Sequence, residues 1–214
     1  MEISAAGFLF DMDGTLVDSH AVVESVWGEF GRRHGLDPAE LLAYAHGRQA
    51  VDTVAHFLPH LSAEQRAELV AALVAEEVTR TDGIVEVPGA AALVAGLTAS
   101  GVPMAVVTSA PRALAVARLE AAGVPVPAVL VAAEDVSRGK PDPQGYLLAA
   151  ERLGVPIEGC VVFEDAEAGL VAAVASGGRV VVVGGHASAT TEGLERLRDY
   201  TAGAPGVESV SLPS

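Results

Sequence analysis

The stretch GFLFDMDGTLVDS, Gly7 to Ser19, decides the fold. Gly7–Phe10 is a short, continuous apolar run, the pattern of a strand buried on both faces of a parallel sheet. Asp11 and Asp13 follow at once, then Gly14 and Thr15, and the stretch closes on Asp18 and Ser19. Open α/β sheets bind ligands beyond the carboxyl ends of their strands. Asp11 and Asp13 therefore stand at the mouth of a crevice. Two carboxylates that close repel each other unless a proton or a divalent cation lies between them. The pair suits Mg²⁺ and a phosphate.

Outward from this stretch, the next segment is helical. Ser19 is placed to cap a helix reaching about His34, with Val22, Val23, Val26, Trp27 and Phe30 on one face. Gly35 ends it, and Asp37-Pro38 opens a short second helix. Tyr44–Arg48 reads as a turn around Gly47. Val51, Val54, Phe57 and Leu58 mark a third stripe, stopped by Pro59. Ser62–Gln65 is a capping box for a long helix carrying Leu69, Val70, Leu73, Val74 and Val78, and Thr81–Gly83 closes it. Residues 18–83 thus read as an inserted all-helical domain, with 1–17 and 84–214 forming the core.

From Pro88 a βα rhythm takes over. Strands are expected at Met104–Thr108, Ala128–Ala132, Cys160–Glu164 and Arg179–Val183. Helices are expected through Leu93 and Leu97, from Pro111 to near Gly123, and over Pro143–Leu153, Ala166–Ser176 and Thr190–Asp199. A short edge strand is expected at Val207–Val210. Such alternation implies an α/β fold, a Rossmann-like parallel sheet with helices on both faces.

Composition narrows the class. The chain has 214 residues, enough for a core plus a small inserted domain, and 50% are apolar but only 4% aromatic. No apolar run is long enough to span a membrane, and no basic stretch precedes the first apolar segment. Cys160 is the single cysteine, so an internal disulfide and a cysteine zinc cluster are excluded and a cytoplasmic setting is expected. The formal net charge of −15 argues against nucleic acid. A cleft can still carry a local positive field, and Lys140, the only lysine, then stands out. A monomer is expected, because no strongly apolar surface face is visible.

Four strand ends carry groups suited to phosphate chemistry: Asp11 and Asp13, Thr108-Ser109, Arg138–Pro141 with Lys140, and Glu164-Asp165. Each alone has a plain alternative. A strand-end Asp is usually a turn former, a lone lysine a surface charge, and Glu164-Asp165 a complement to a helix dipole. All four fall at one edge of the sheet, and together they offer a carboxylate nucleophile, a second carboxylate, hydroxyls, an ammonium and metal ligands.

In that order FDMDGT, VVTS, GKPDP and VVFEDAEAG resemble the haloacid dehalogenase superfamily of phosphohydrolases, over Phe10 to Gly169. The helical insertion resembles the cap of its sugar-phosphate and glycerol-phosphate phosphatases. The resemblance implies that Asp11 attacks phosphorus and that Asp13 moves the proton and lends its carbonyl to Mg²⁺. It implies that Lys140 neutralises the phosphoryl group, and that Gly14, Thr108 and Ser109 contact the substrate. Asp11, Asp13 and Asp165, with Glu164, would hold Mg²⁺.

Substrate choice then falls to the cap. Ala45–Ala50, AHGRQA, resembles the family's cap loop, and Arg48 is the candidate for a sugar or polyol hydroxyl. His46 and His20 read as surface histidines, Trp27 as core, and Met12 as packing within the sheet. The implied activity is a Mg²⁺-dependent phosphatase acting on a small phosphorylated metabolite. The alternative is a β-phosphoglucomutase-like isomerase with the same aspartyl-phosphate; Val23 stands where those mutases usually carry a histidine.

Overall fold

In the computed structural model, which describes residues 4–201, Gly7–Phe10 forms β1 with all four residues buried. Val17–Asp18 is a two-residue strand, β2, and the chain then enters four helices. These are α1 (His20–Arg33), α2 (Pro38–Ala45), α3 (Ala50–Phe57) and α4 (Ala63–Thr79). The chain returns through β3 (Val85–Glu86), which pairs antiparallel with β2. The core follows as α5 (Ala90–Ala99), β4 (Met104–Val107), α6 (Arg112–Ala121), β5 (Val129–Val131) and α7 (Gln144–Leu153). It ends with β6 (Cys160–Glu164), α8 (Glu167–Ser176), β7 (Arg179–Val183) and β8 (Glu195–Leu197).

The main sheet runs β5-β4-β1-β6-β7-β8 and is parallel throughout. Period-2 alternation sends β1 side chains to two cores. Phe8 and Phe10 join Phe163, Val106 and residues of α5 and α6 on one face. Leu9 joins Ala105, Val162 and residues of α7 and α8 on the other. Burial on both faces explains why the strands read as unbroken apolar runs. Met12 is buried in the first of these cores, as expected. After β1 the chain builds one side of the sheet, then returns to build the other from β6. The carboxyl ends of β1, β4 and β6 therefore meet where the strand order reverses.

The helical insertion has its own core of Val26, Trp27, Phe30, Leu41, Val54, Leu58 and Leu73. Asp37 accepts from the Ala39 amide at 2.8 Å, and the Ser62–Gln65 capping box forms in both directions. No helix among the described residues is long and apolar enough to cross a membrane.

Three local expectations change. Ser19 occupies the N-cap position of α1 but makes no side-chain cap bond; its hydroxyl donates to Asp13 instead. The β2–β3 ribbon is too short to leave a periodic signature. The helix expected over Thr190–Asp199 is replaced by a single 3₁₀ turn at Ala189–Thr191 and the edge strand β8. Without β8, β7 would present a row of unpaired backbone groups, and pairing them outweighs the modest helix propensity of this polar segment. The Arg179 guanidinium donates to both oxygens of Glu195 across the new pair, at 2.8 and 2.7 Å. The strand expected at Val207–Val210 lies outside the described residues.

The same segment gives Glu167, in the first turn of α8, a set of side-chain partners. Its carboxylate accepts from Ser188, Thr190 and His186, which holds it down at about 2, against about 4.5 in an unfolded chain. A depressed acid stabilises the fold above its unfolded pKa, and that contribution is lost as pH falls from about 4.5 toward 2. The carboxylate is half exposed, so its contribution is under about 1 kcal/mol. Glu167→Gln should flatten the fall in melting temperature between pH 5 and pH 3, roughly the window between the two pKa values. An acid limb identical to that of the parent protein would exclude this tie.

Candidate active site

β1 delivers Asp11 into the switch point, where the Asp11 amide donates to the Phe163 carbonyl of β6 at 3.0 Å. The residue is only 6% exposed. Lys140 comes from the loop before α7 and is equally buried, which removes the surface-charge reading. Its ammonium donates to Asp11 Oδ1 and, at 2.7 Å, to Glu164 Oε1.

Glu164 ends β6 fully buried. Besides Lys140, Oε1 accepts from the Tyr146 hydroxyl at 3.0 Å. Oε2 accepts from the amides of Asp165 and Ala166 at 2.8 and 2.9 Å. A carboxylate has about four lone-pair sites, and four donors occupy them. Glu164 therefore holds Lys140 in place. Gly169, in the first turn of α8, leaves the room this needs, since a Cβ there would collide with the Glu164 carboxylate.

Asp165 carries Oδ1 against the Thr15 hydroxyl at 3.0 Å. Oxygens of Asp11, Glu164 and Asp165 lie within 4.8 Å of one another. The crowding has an electrostatic signature. Burial pushes Asp11 up to about 8, against the pull of Lys140 and with help from Glu164 and Asp13. Burial, then Glu164 and Asp11, raise Asp165 well above the ordinary carboxylate range. One ammonium does not balance these charges. Hard oxygens with surplus negative charge are the donor set of a small divalent cation, so the residues fit Mg²⁺.

Gly14 has a different part from the one expected. Its φ is +85°, its amide donates to the Val17 carbonyl at 2.7 Å, and a Cβ would collide with the Asp165 carboxylate. Its amide is committed within the loop, and its lack of a side chain admits Asp165. Thr108 and Ser109 follow β4 and line the cavity. The Thr108 hydroxyl accepts from the Ala110 amide at 3.0 Å, and Ser109 Oγ donates to the Gly47 carbonyl of the cap loop at 2.8 Å.

The cavity encloses about 100 Å³ between core and cap. Asp11, Asp13, Thr108 and Asp165 form its floor, and the cap brings Trp27, His46, Arg48 and Glu77. Arg48 lies over the Tyr44 ring, 4.6 Å from its centre. His46, read as a surface residue, is half-buried beside His20; burial, then His20, lower its pKa and favour the neutral imidazole. Trp27 is both core and cavity wall. Cys160 is inert, its thiol pushed up to about 11 by burial.

Sequence reasoning missed Arg118 and Glu77. Both fall on apolar stripes: Glu77 is four residues after Leu73, and Arg118 four after Leu114. A charge on a buried stripe was the available signal. Arg118 joins the two halves, donating to Asp13 and Glu77.

Comparison with known proteins agrees with this architecture. A family model described as haloacid dehalogenase-like hydrolase matches residues 5–177. Hexitol phosphatase A of Escherichia coli strain K12 is 48% identical over 191 residues, covering 89% of this chain and 88% of the relative. Glycerol-1-phosphate phosphohydrolase 2 of Saccharomyces cerevisiae is 34% identical over 208 residues, covering 93% and 80%. Among solved structures, CbbY of Rhodobacter sphaeroides in complex with phosphate superposes with a TM-score of 0.78 at 28% identity, over 92% of this chain and 95% of that one. The chain belongs to the haloacid dehalogenase-like hydrolases, as a phosphoric monoester hydrolase similar to their sugar- and polyol-phosphate phosphatases.

Proposed function

We propose that the protein is a Mg²⁺-dependent phosphatase of a small sugar or polyol phosphate, working through an aspartyl-phosphate on Asp11. The observation that carries this is the buried Asp11–Lys140 pair beside Asp165, at the floor of a cavity roofed by the cap. The hexitol and glycerol-1-phosphate activities of the relatives support the substrate class.

Asp11, Asp165 and the Asp13 carbonyl would hold Mg²⁺. When bound, the ion supplies charge neutralisation at the phosphoryl oxygens and lets an anionic nucleophile approach. Lys140 does the same from the protein side, held by Glu164. An Asp11 oxygen attacks phosphorus, and the bond to the ester oxygen breaks. Asp13 gives its proton to the leaving alkoxide. It then takes a proton from the water that attacks the same phosphorus, and the phosphate leaves Asp11. Thr108 and Ser109 border the transferring group, and Arg48 reads the rest of the substrate. Residues 18–83 close as a cap on 1–17 and 84–214, hinged at the β2–β3 ribbon, and closure excludes bulk water.

The test is phosphate release from a panel of hexitol, hexose, glycerol and glycolate phosphates, with Mg²⁺ and with EDTA. Metal-dependent release, strongest on one polyol or sugar ester, is expected. Undiminished release in EDTA would overturn the metal dependence. No release, with conversion of β-glucose 1-phosphate to glucose 6-phosphate once a bisphosphate primer is added, would replace the phosphatase by a mutase.

A further inference from the structure

Arg118 belongs to the core helix α6, yet its guanidinium reaches both halves of the molecule. Nη1 donates to Asp13 Oδ2 at 2.9 Å, and Nη2 donates to Glu77 Oε1 at 2.7 Å. Asp13 lies in the loop after β1, and Glu77 on α4 of the cap. The side chains of Arg118 and Glu77 are each 5% exposed, and all three residues line the cavity that holds Asp11. The other Asp13 oxygen, Oδ1, accepts from Ser19 Oγ at 2.6 Å, next to the β2–β3 ribbon. Both oxygens of Asp13 are thus directed by the protein. Arg118 Nε is buried without a partner, so the side chain is held for its two Nη contacts. Buried ion pairs are often no more stabilising than apolar residues of the same volume. A pair kept beside the chemistry points to position as its use.

We propose that Arg118 is a positioning residue for Asp13, and that Glu77 makes this position conditional on a seated cap. The inference rests on Asp13 being the general acid–base. Arg118 makes and breaks no bonds. With α4 seated, Glu77 anchors one arm of the rigid guanidinium fork, and the other arm sets the Asp13 carboxylate beside the cavity. When α4 swings out it takes Glu77 with it. The fork then has one anchor, and Asp13 loses the fixed donor that orients it. Proton transfer is thereby confined to the closed form, in which substrate is enclosed.

The test compares kcat/KM, in Mg²⁺, on the preferred alkyl ester and on p-nitrophenyl phosphate. An alkoxide needs a proton to leave, whereas p-nitrophenolate does not, and kcat/KM reports the steps through transfer to Asp11. Arg118→Lys should lose about 100-fold on the alkyl ester, the low end of a general acid's contribution, and under about threefold on the aryl ester. Glu77→Gln keeps its shape and a hydrogen bond to Arg118; it should show the same selectivity at about tenfold. Equal losses on both esters, or none on either, would overturn the proposal, since a merely structural role lowers both alike. If Arg118→Lys does not fold, judged by its melting curve, Glu77→Gln decides by the same criterion. Asp13→Asn separates the two levels. If Asp13→Asn is itself unselective, the reading of Asp13 fails. If it is selective while the Arg118 and Glu77 variants are not, only the positioning role fails.

Discussion

Asp11→Asn should abolish turnover while leaving the protein folded. The amide keeps the size of the carboxylate and an oxygen that accepts from Lys140. What it loses is the anionic lone pair that attacks phosphorus, for which no nearby group substitutes: Asp165 is tied to Thr15, and Glu164 is saturated with donors. Loss of a nucleophile costs on the order of 10⁴-fold or more in kcat. Stability should move the other way in metal-free protein. Burial pushes Asp11 up to about 8, so its ionised form is disfavoured, and a neutral side chain relieves the crowding with Glu164 and Asp165. The melting temperature in EDTA should equal or exceed that of the parent, and the gain from added Mg²⁺ should shrink. Phosphate release within tenfold of the parent (about 1.4 kcal/mol of barrier) would remove Asp11 from the nucleophile's role.

Lys140→Met should remove both activity and stability. The lysine is the ammonium between Asp11 and Glu164, and methionine keeps an unbranched stem, one atom shorter, without the charge. Breaking a buried pair from one side costs about 3–5 kcal/mol, because the partner charge stays behind unpaired. Glu164 is that partner, with no exposed surface. In a chain of this size the loss lowers the melting temperature on the order of 10 °C. The catalytic loss has a separate origin: the phosphoryl group gives up a cation in a water-poor site, about 10²–10³-fold for a group of this kind. Lys140→Met with Glu164→Gln separates the two effects. Neutralising the stranded glutamate should recover much of the melting temperature and none of the activity. Full activity in Lys140→Met, measured on the best ester of the panel, would place the lysine outside the reaction.

The two variants differ because of what surrounds each group. Asp11 is a carboxylate among carboxylates, so its charge is a local burden that function requires. Lys140 is the cation they share, so its charge serves both fold and reaction. The raised Asp11 and Asp165 groups and the fully paired Glu164 are two sides of one balance.

Much of this was legible in the chain. The apolar runs ending in Asp11, Thr108 and Glu164 marked strands buried on both faces, because only such strands read as unbroken hydrophobic stretches. Cys160–Glu164 and Arg179–Val183 begin and end where the pattern places them. The Ser62–Gln65 box started α4, since a cap is a local contact that three residues specify. Parallel connectivity then required the loops after β1, β4, β5 and β6 to share one edge, so the set Asp11, Asp13, Thr108, Lys140 and Asp165 could be assembled before any coordinates.

Only the tertiary structure decided the rest, and the reason is distance along the chain. Arg118 meets Asp13 across 105 positions and Glu77 across 41. Helical periodicity reports that a residue faces inward, not which charge it finds there. Glu164 stood in a motif as a possible ligand, and its contacts to Lys140 and Tyr146, from outside that motif, also make it a holder of Lys140. Gly14 stood beside the aspartates as a substrate contact, and the approach of Asp165 made it a gap. The segment Glu195–Leu197 has the composition of a helix, and the open edge of β7 made it a strand. Local pattern determined which elements form and which edge holds the chemistry; the partner at each contact was set by packing between elements far apart in sequence.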